Sequence, residues 1–267
     1  MDLHSLALLG FGQGGWGGLL LQAAGMTLLV SVTAFAIGMV LGGLGAWAKL
    51  SRFLPARAAA AAYITVLRGV PDLLVIYLFY FGGSQVLTAA GRLFGREGFL
   101  GLPGFAAGAL AVAVVSGAYQ TEVLRAAIAA VPRGQAEAGR ALGLRPGLNL
   151  RLVLAPQVLR VALPGLGNVW QLVLKESALV SVTGLVELMR QVGIAAGSTR
   201  KPFEFYATGA VIYLVLTTVS GLGFAWAERR AAWGNPRASG TGGGRGAARA
   251  PAAAIAGQGA AGRGGAG

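Results

Sequence analysis

Five polar side chains stand inside otherwise apolar stretches of this sequence: Arg68, Asp72, Gln171, Lys175 and Glu176. A charge at the centre of a bilayer costs about 2.5–3.5 kcal/mol on the insertion scale, and such groups usually face a partner or a cavity. Arg68 and Asp72 are four residues apart and can pair if the helix carrying them persists; Lys175 and Glu176 are adjacent. Two readings stand: structural ion pairs, or polar groups lining a path. Glu122 and Glu187 fall near the ends of apolar stretches and also read as plain loop residues. Catalytic chemistry finds little here. The chain has no cysteine, and His4 is its only histidine. Disulfides, thiolate or multi-histidine metal sites and cysteine or histidine catalysis are therefore absent. There is no paired-carboxylate motif and no GxxxxGK[ST] phosphate loop, so nucleotide energy would have to come from another chain.

The elements that must position these groups are membrane helices. Of 267 residues, 55% are hydrophobic and 12% charged, whereas a soluble domain carries about 25% charged residues. Runs of roughly 20 apolar residues span the hydrocarbon core, and helices satisfy their own backbone hydrogen bonds there. The net charge of +13 does not mark a nucleic-acid surface. The arginines are scattered through short loops and the tail, where topology signals belong. No secretory signal is evident, because Asp2 and no Lys or Arg precedes the first apolar run.

Three regions follow: an N-terminal interfacial segment at 1–25, a transmembrane domain at 26–230 and a disordered Gly/Ala/Arg-rich tail at 231–267. Gly10 to Gly18 read GFGQGGWGG, a poor helix that separates an interfacial stretch at 3–9 from a first span at 26–47. Gly38, Gly42 and Gly45 in that span have the spacing of close helix contacts, although glycine is also simply common in membrane helices. A second span is expected at 58–81, with a turn broken by Pro71, then a polar loop at 82–98. The third span is expected at 99–120, a long basic loop at 121–160, and the fourth span at 161–186, interrupted at Lys175 and Glu176. A loop of mixed sign at 187–204 leads to the fifth span at 205–227. Basic residues concentrate in 48–57, 121–160 and the tail. The positive-inside rule places these in the cytoplasm and the N-terminus outside, which five spans satisfy.

Within the basic loop, 135–142 reads as a short helix with Gly143 as its C-cap. Arg145, Pro146 and Gly147 read as a turn. A second short helix at 150–154 is expected to stop at Pro156. Together they form a compact knob able to pass a rigid-body displacement into the spans it joins; an ordinary basic connector is the other reading.

This loop resembles the EAA loop of ATP-binding-cassette importer permeases, in which Glu-Ala-Ala is followed by three residues, Gly, nine residues and Ile-x-Leu-Pro. Here the positions are Glu137, Ala138 and Gly139, then Gly143, then Val153, Leu154, Ala155 and Pro156, with the spacing intact. The departures are Gly139 for Ala, Val153 for Ile and Ala155 for Leu. Residues 26–230 as a whole resemble the polar amino acid branch, through TVLRGVPDLLVIYLFYFGGSQ (65–85), GAYQTEVLRAAIAAVPRGQAEAGRALG (117–143), APQVLRVALPGLGNVWQLVLKESALVS (155–181) and KPFEFY (201–206). RGVPDL and ALPGLGN are most like the histidine, arginine, lysine and ornithine permeases and the octopine and nopaline permeases.

The resemblance implies an all-α polytopic fold of about five spans, the type I importer permease, with a cytoplasmic EAA loop in a bacterial inner membrane. It implies that Glu137, Ala138, Gly139, Gly143 and Pro156 couple to two ATPase subunits, which bind ATP and Mg; this chain would hold no cofactor. It further implies a second permease chain, copy or paralogue, and a periplasmic solute-binding protein, with no nucleic-acid partner. A basic amino acid or opine as solute needs buried carboxylates for its cation and a positive group for its carboxylate. Glu176 with Asp72 would take the cation and Arg68 the carboxylate, with Gln171 as a further polar contact. A self-sufficient secondary transporter or channel for small polar solutes, and a membrane-embedded enzyme, are the competing readings.

Overall fold

The computed structural model describes residues 8–12 and 14–232. Helix α1 (Gly17–Leu50) is followed by α2 (Leu54–Gly69) and α3 (Asp72–Tyr77). A π turn at Leu78–Gly82 joins α3 to α4 (Gly83–Leu93), and α5 is Gly104–Ala130. Two short helices, α6 (Arg133–Ala141) and α7 (Pro146–Asn149), precede a second π turn at Leu150–Leu154. Then come α8 (Ala155–Glu176), a 3-10 segment at Ser177–Thr183, α9 (Leu188–Thr199) and α10 (Pro202–Ala232). No strand occurs among the described residues. Five stretches are long and apolar enough to cross a membrane: Gly17–Leu50, Asp72–Leu93, Gly104–Ala130, Pro146–Thr183 and Pro202–Ala231.

α5 is the centre of the bundle. It is rich in alanine, glycine and valine, and Ala107, Ala111, Ala113, Val115 and Ala118 are almost wholly buried. Small side chains let backbones approach, which is what drives association where lipid is as apolar as the helices. α1 lies along it through the glycines noted above. A Cβ on Gly38 would come 2.5 Å from Ser116 Oγ, and one on Gly45 would come 2.3 Å from Thr121 Oγ1. A Cβ on Gly42 would meet Gln120 Cβ at 2.7 Å. The spacing is therefore a contact face. Around it sits a core of Val30, Ala34, Val75, Ile76, Val112, Val173 and Val180. α10 is different: Val211, Leu214, Val219, Leu222 and Trp226 are all exposed, as a lipid- or partner-facing span requires.

Several expected boundaries move. α1 begins at Gly17 and is one helix through the boundary expected at 26. The tail beyond 232, and most of the expected interfacial segment at 3–9, lie outside the described residues. The second span is not 58–81. Pro71 cannot donate a helical hydrogen bond and disfavours helical geometry at Val70, which is extended (ψ 136°), so α2 ends and the span restarts at Asp72. The expected polar loop at 82–98 is helical as far as Leu93. The third span runs from 104 to 130, past its expected end at 120, because VLRAAIAA continues as good helix former.

Pro156 does not stop a helix. It lies two residues after a π turn through which helical backbone continues, and that wider turn accommodates the proline ring. Pro146 likewise opens α7 and is not the centre of a turn. The expected loop at 187–204 contains a buried helix, α9. Leu188, Val192, Ala195 and Ala196 pack there with Leu20, Ala24 and Phe205.

Candidate functional site

Two regions carry the polar chemistry. The first is the end of α8. Glu176 is 5% exposed, and neither of its carboxylate oxygens has a hydrogen-bond partner. Asp72, at the start of α3, is the charged group that acts on it. The break at Pro71 is what brings Asp72 there: it starts a new helix and places an acid at its N-terminus. Glu176 therefore faces a second acid, and no basic side chain bonds to it. No Arg68–Asp72 or Lys175–Glu176 ion pair forms, whereas Glu122 pairs with both Lys49 and Arg125.

Arg68, on the last turn of α2, lies over the Tyr119 ring at 4.9 Å from its centroid, a cation–π contact that leaves it exposed. The helix that would have joined it to Asp72 does not persist. Gln171 and Lys175 are one turn apart on α8 and face α10, away from Glu176. Gln171 Nε2 donates to the Thr217 carbonyl at 3.0 Å. Lys175 lines an apolar cavity of about 510 Å3 together with Met189, Tyr206, Tyr213 and Thr217. The structure thus brings Glu176 and Asp72 together and directs Gln171 to the last span.

The second region is the EAA segment. Glu137 and Ala138 are exposed on α6, and Leu142 just beyond it is 81% exposed. Gly143 has φ +78° and closes the helix. Its N–H donates to the Arg140 carbonyl at 2.9 Å, and the Leu144 N–H donates to the Gly139 carbonyl at 3.1 Å. That is the paired Schellman closure, for which glycine is the fitting residue. Gly139, in contrast, is buried.

Three polar constellations escape a reading of the sequence. Glu122 receives Lys49 Nζ at 2.7 Å and Arg125 at 2.8 Å, tying the last turn of α1 to α5. Arg125 was signalled by its spacing of three; Lys49 was not. Glu187 is fully buried and caps α9, accepting from the Arg190 and Met189 amides at 2.8 and 2.9 Å. Tyr213 Oη and Thr27 Oγ1 also donate to it, at 3.1 and 3.3 Å. Burial pushes the Glu187 carboxyl above the usual carboxylate range, and these donors pull it back. The signal was a carboxylate just before an apolar helical run, the N-cap pattern. The third is Asn149, buried against α6.

Residues 38–233 match the family described as the binding-protein-dependent transport system inner membrane component. The chain is 57% identical over 225 residues to the octopine transport system permease protein OccQ of Rhizobium meliloti, covering 84% of this chain and 95% of that one. It is 38% identical over 224 residues to the histidine/lysine/arginine/ornithine transport system permease protein HisQ of Escherichia coli (strain K12), covering 84% and 98%. Among solved structures, a crystal structure of an amino acid ABC transporter with histidines superimposes with a TM-score of 0.69 at 36% identity, covering 86% of this chain and 99% of that one.

Proposed function

The chain belongs to the family of inner membrane components of binding-protein-dependent transport systems, and from that premise we propose that it is the permease subunit of an ATP-driven importer of basic amino acids or opines. The names of the relatives, an octopine permease at 57% identity and a histidine/lysine/arginine/ornithine permease at 38%, support the solute class. The observation that carries it is the buried carboxylate of Glu176, which has no hydrogen-bond partner and is faced by a second acid, Asp72. A buried carboxylate without donors is costly, and a cationic side chain bound between Glu176 and Asp72 removes that cost while it is bound.

In this reading Glu176 and Asp72 receive the guanidinium or ammonium of the solute, and Arg68 meets its carboxylate after leaving the Tyr119 ring. The exposed face of α6, with Glu137 and Ala138, docks on two ATPase subunits that hold ATP and Mg. Gly143 and Pro156 fix the ends of that segment. A second permease chain completes the path, a periplasmic binding protein delivers the solute, and the EAA segment and the C-terminus face the cytoplasm of a bacterial inner membrane.

The solute class is tested by competition. Labelled arginine uptake by cells carrying the full transport system should be suppressed by excess histidine, ornithine or octopine, and untouched by glutamate or leucine. Suppression by glutamate in place of the cationic solutes would remove the role given to the acid pair.

A further inference from the structure

The EAA pattern has alanine where this chain has Gly139, and that departure has a structural counterpart ten residues on. Asn149 is 4% exposed, and its Nδ2 donates to the Ala136 carbonyl of α6 at 2.9 Å. A Cβ on Gly139 would lie 2.2 Å from Asn149 Oδ1, 2.6 Å from Cγ and 2.9 Å from Nδ2. The amide therefore lies flat across the glycine, in the space a methyl group would take. Asn149 Oδ1 has no hydrogen-bond partner of its own. A buried acceptor without a donor is unfavourable, so the side chain is held by its fit on Gly139 and by the single bond to Ala136.

The chief neighbours of α6 are α7 and the π turn after it. On its other side α6 joins α5 through Val131 and Pro132, both extended, with ψ of 124° and 135°. From Asn149 onward, in contrast, helical backbone continues through the π turn and α8 to Glu176. A second bridge between the two sides, Gln157 Nε2 to Gln135 Oε1 at 3.3 Å, is long and exposed. We infer that the Gly139–Asn149 contact is the lock that passes movement of α6 into α8, and hence towards Glu176, while the extended link lets α5 stay in place. Asn149 is a positioning residue in this scheme and touches neither solute nor nucleotide. The inference rests on the importer reading and deepens it.

The test uses the full transporter in nanodiscs with its binding protein, and three variants: Asn149→Ala, Gly139→Ala and the double substitution. Two quantities are read: solute moved per ATP hydrolysed in proteoliposomes, and hydrogen exchange of the amides of 133–141. Each single variant should accelerate exchange across α6 and lower the transport-to-hydrolysis ratio about tenfold, the scale of one buried hydrogen bond. Stimulated hydrolysis should continue. In the double variant the new methyl at 139 fills the space the amide vacates, and both quantities should move back towards wild type. A merely structural role would reduce the yield of assembled transporter at an unchanged ratio, and that result overturns the inference. So does wild-type exchange in Asn149→Ala. An unmodified transporter that hydrolyses no ATP would remove the importer reading instead, and exchange in α6 would still decide whether the lock exists.

Discussion

Replacing Glu176 with Gln is expected to weaken uptake of a cationic solute by about 100-fold, while leaving the assembled permease as stable as before or more so. Truncating or neutralising one partner of a buried charge pair costs about 2–5 kcal/mol, mostly by leaving the other charge unpaired. Here the partner would be the solute's own cation. In its absence Glu176 is a buried carboxylate with neither oxygen hydrogen-bonded and another acid, Asp72, beside it. Gln is nearly the same size and removes the repulsion, so thermal melting in detergent should stay level or rise. The two readouts move in opposite directions only if the carboxylate is kept for a ligand. A structural carboxylate would give the reverse: lower melting temperature, with arginine affinity and rate unchanged in whatever protein survives.

The second large effect lies in the bundle. Gly42→Ala is expected to destabilise the permease by about 1–3 kcal/mol, the range for overpacking a filled core. The new Cβ would sit 2.7 Å from Gln120 Cβ and 3.1 Å from its carbonyl carbon, so the α5 backbone itself would have to move. Gly43→Ala, one residue along the same helix, is the control. Nothing lies within 4 Å of a Cβ there, and replacing glycine by alanine in a helix gains up to about 1 kcal/mol. Melting temperatures of the two variants should therefore diverge in opposite directions from wild type. If both variants melt like wild type, the close approach of α1 and α5 is not as described.

How much of this was legible in the sequence depends on which physical signal each feature leaves. The five spans follow from apolar length, and the Gly38, Gly42 and Gly45 face from its period. The C-cap at Gly143 followed from helix formers ending at glycine. The boundaries of the second span did not, because a run of apolar residues on both sides of Pro71 gives no sign of which side enters the membrane. The proline penalty was read correctly at Pro71 and wrongly at Pro156. The difference lies in backbone geometry, since a π turn can accommodate the ring in one place and not in the other. α9 was hidden because Glu187, Arg190, Gln191, Arg200 and Lys201 make its stretch look like a loop; its burial depends on packing against α1 and α10.

The site shows the same division. Glu176 and Asp72 could be named as membrane-depth charges, but their sequence neighbours suggested Arg68–Asp72 and Lys175–Glu176 pairs. The break at Pro71 separates the first pair, and the turn of α8 points Lys175 and Glu176 to different neighbours. Lys49 and Glu122 are 73 residues apart, so only tertiary structure could join them. Asn149 could have been suspected from Gly139, since a missing methyl in an otherwise matching motif asks what occupies its place.

The measurement that bears most directly on the central claim is uptake by proteoliposomes containing this chain, its companion permease and the ATPase subunits, with a binding protein loaded with labelled arginine outside. The account predicts uptake that requires ATP on the coupling-loop side, hydrolysis stimulated by the loaded binding protein, and no sensitivity to an ionophore that collapses ion gradients. Uptake by this chain alone, independent of ATP and abolished by the ionophore, would contradict it and make the chain a secondary transporter.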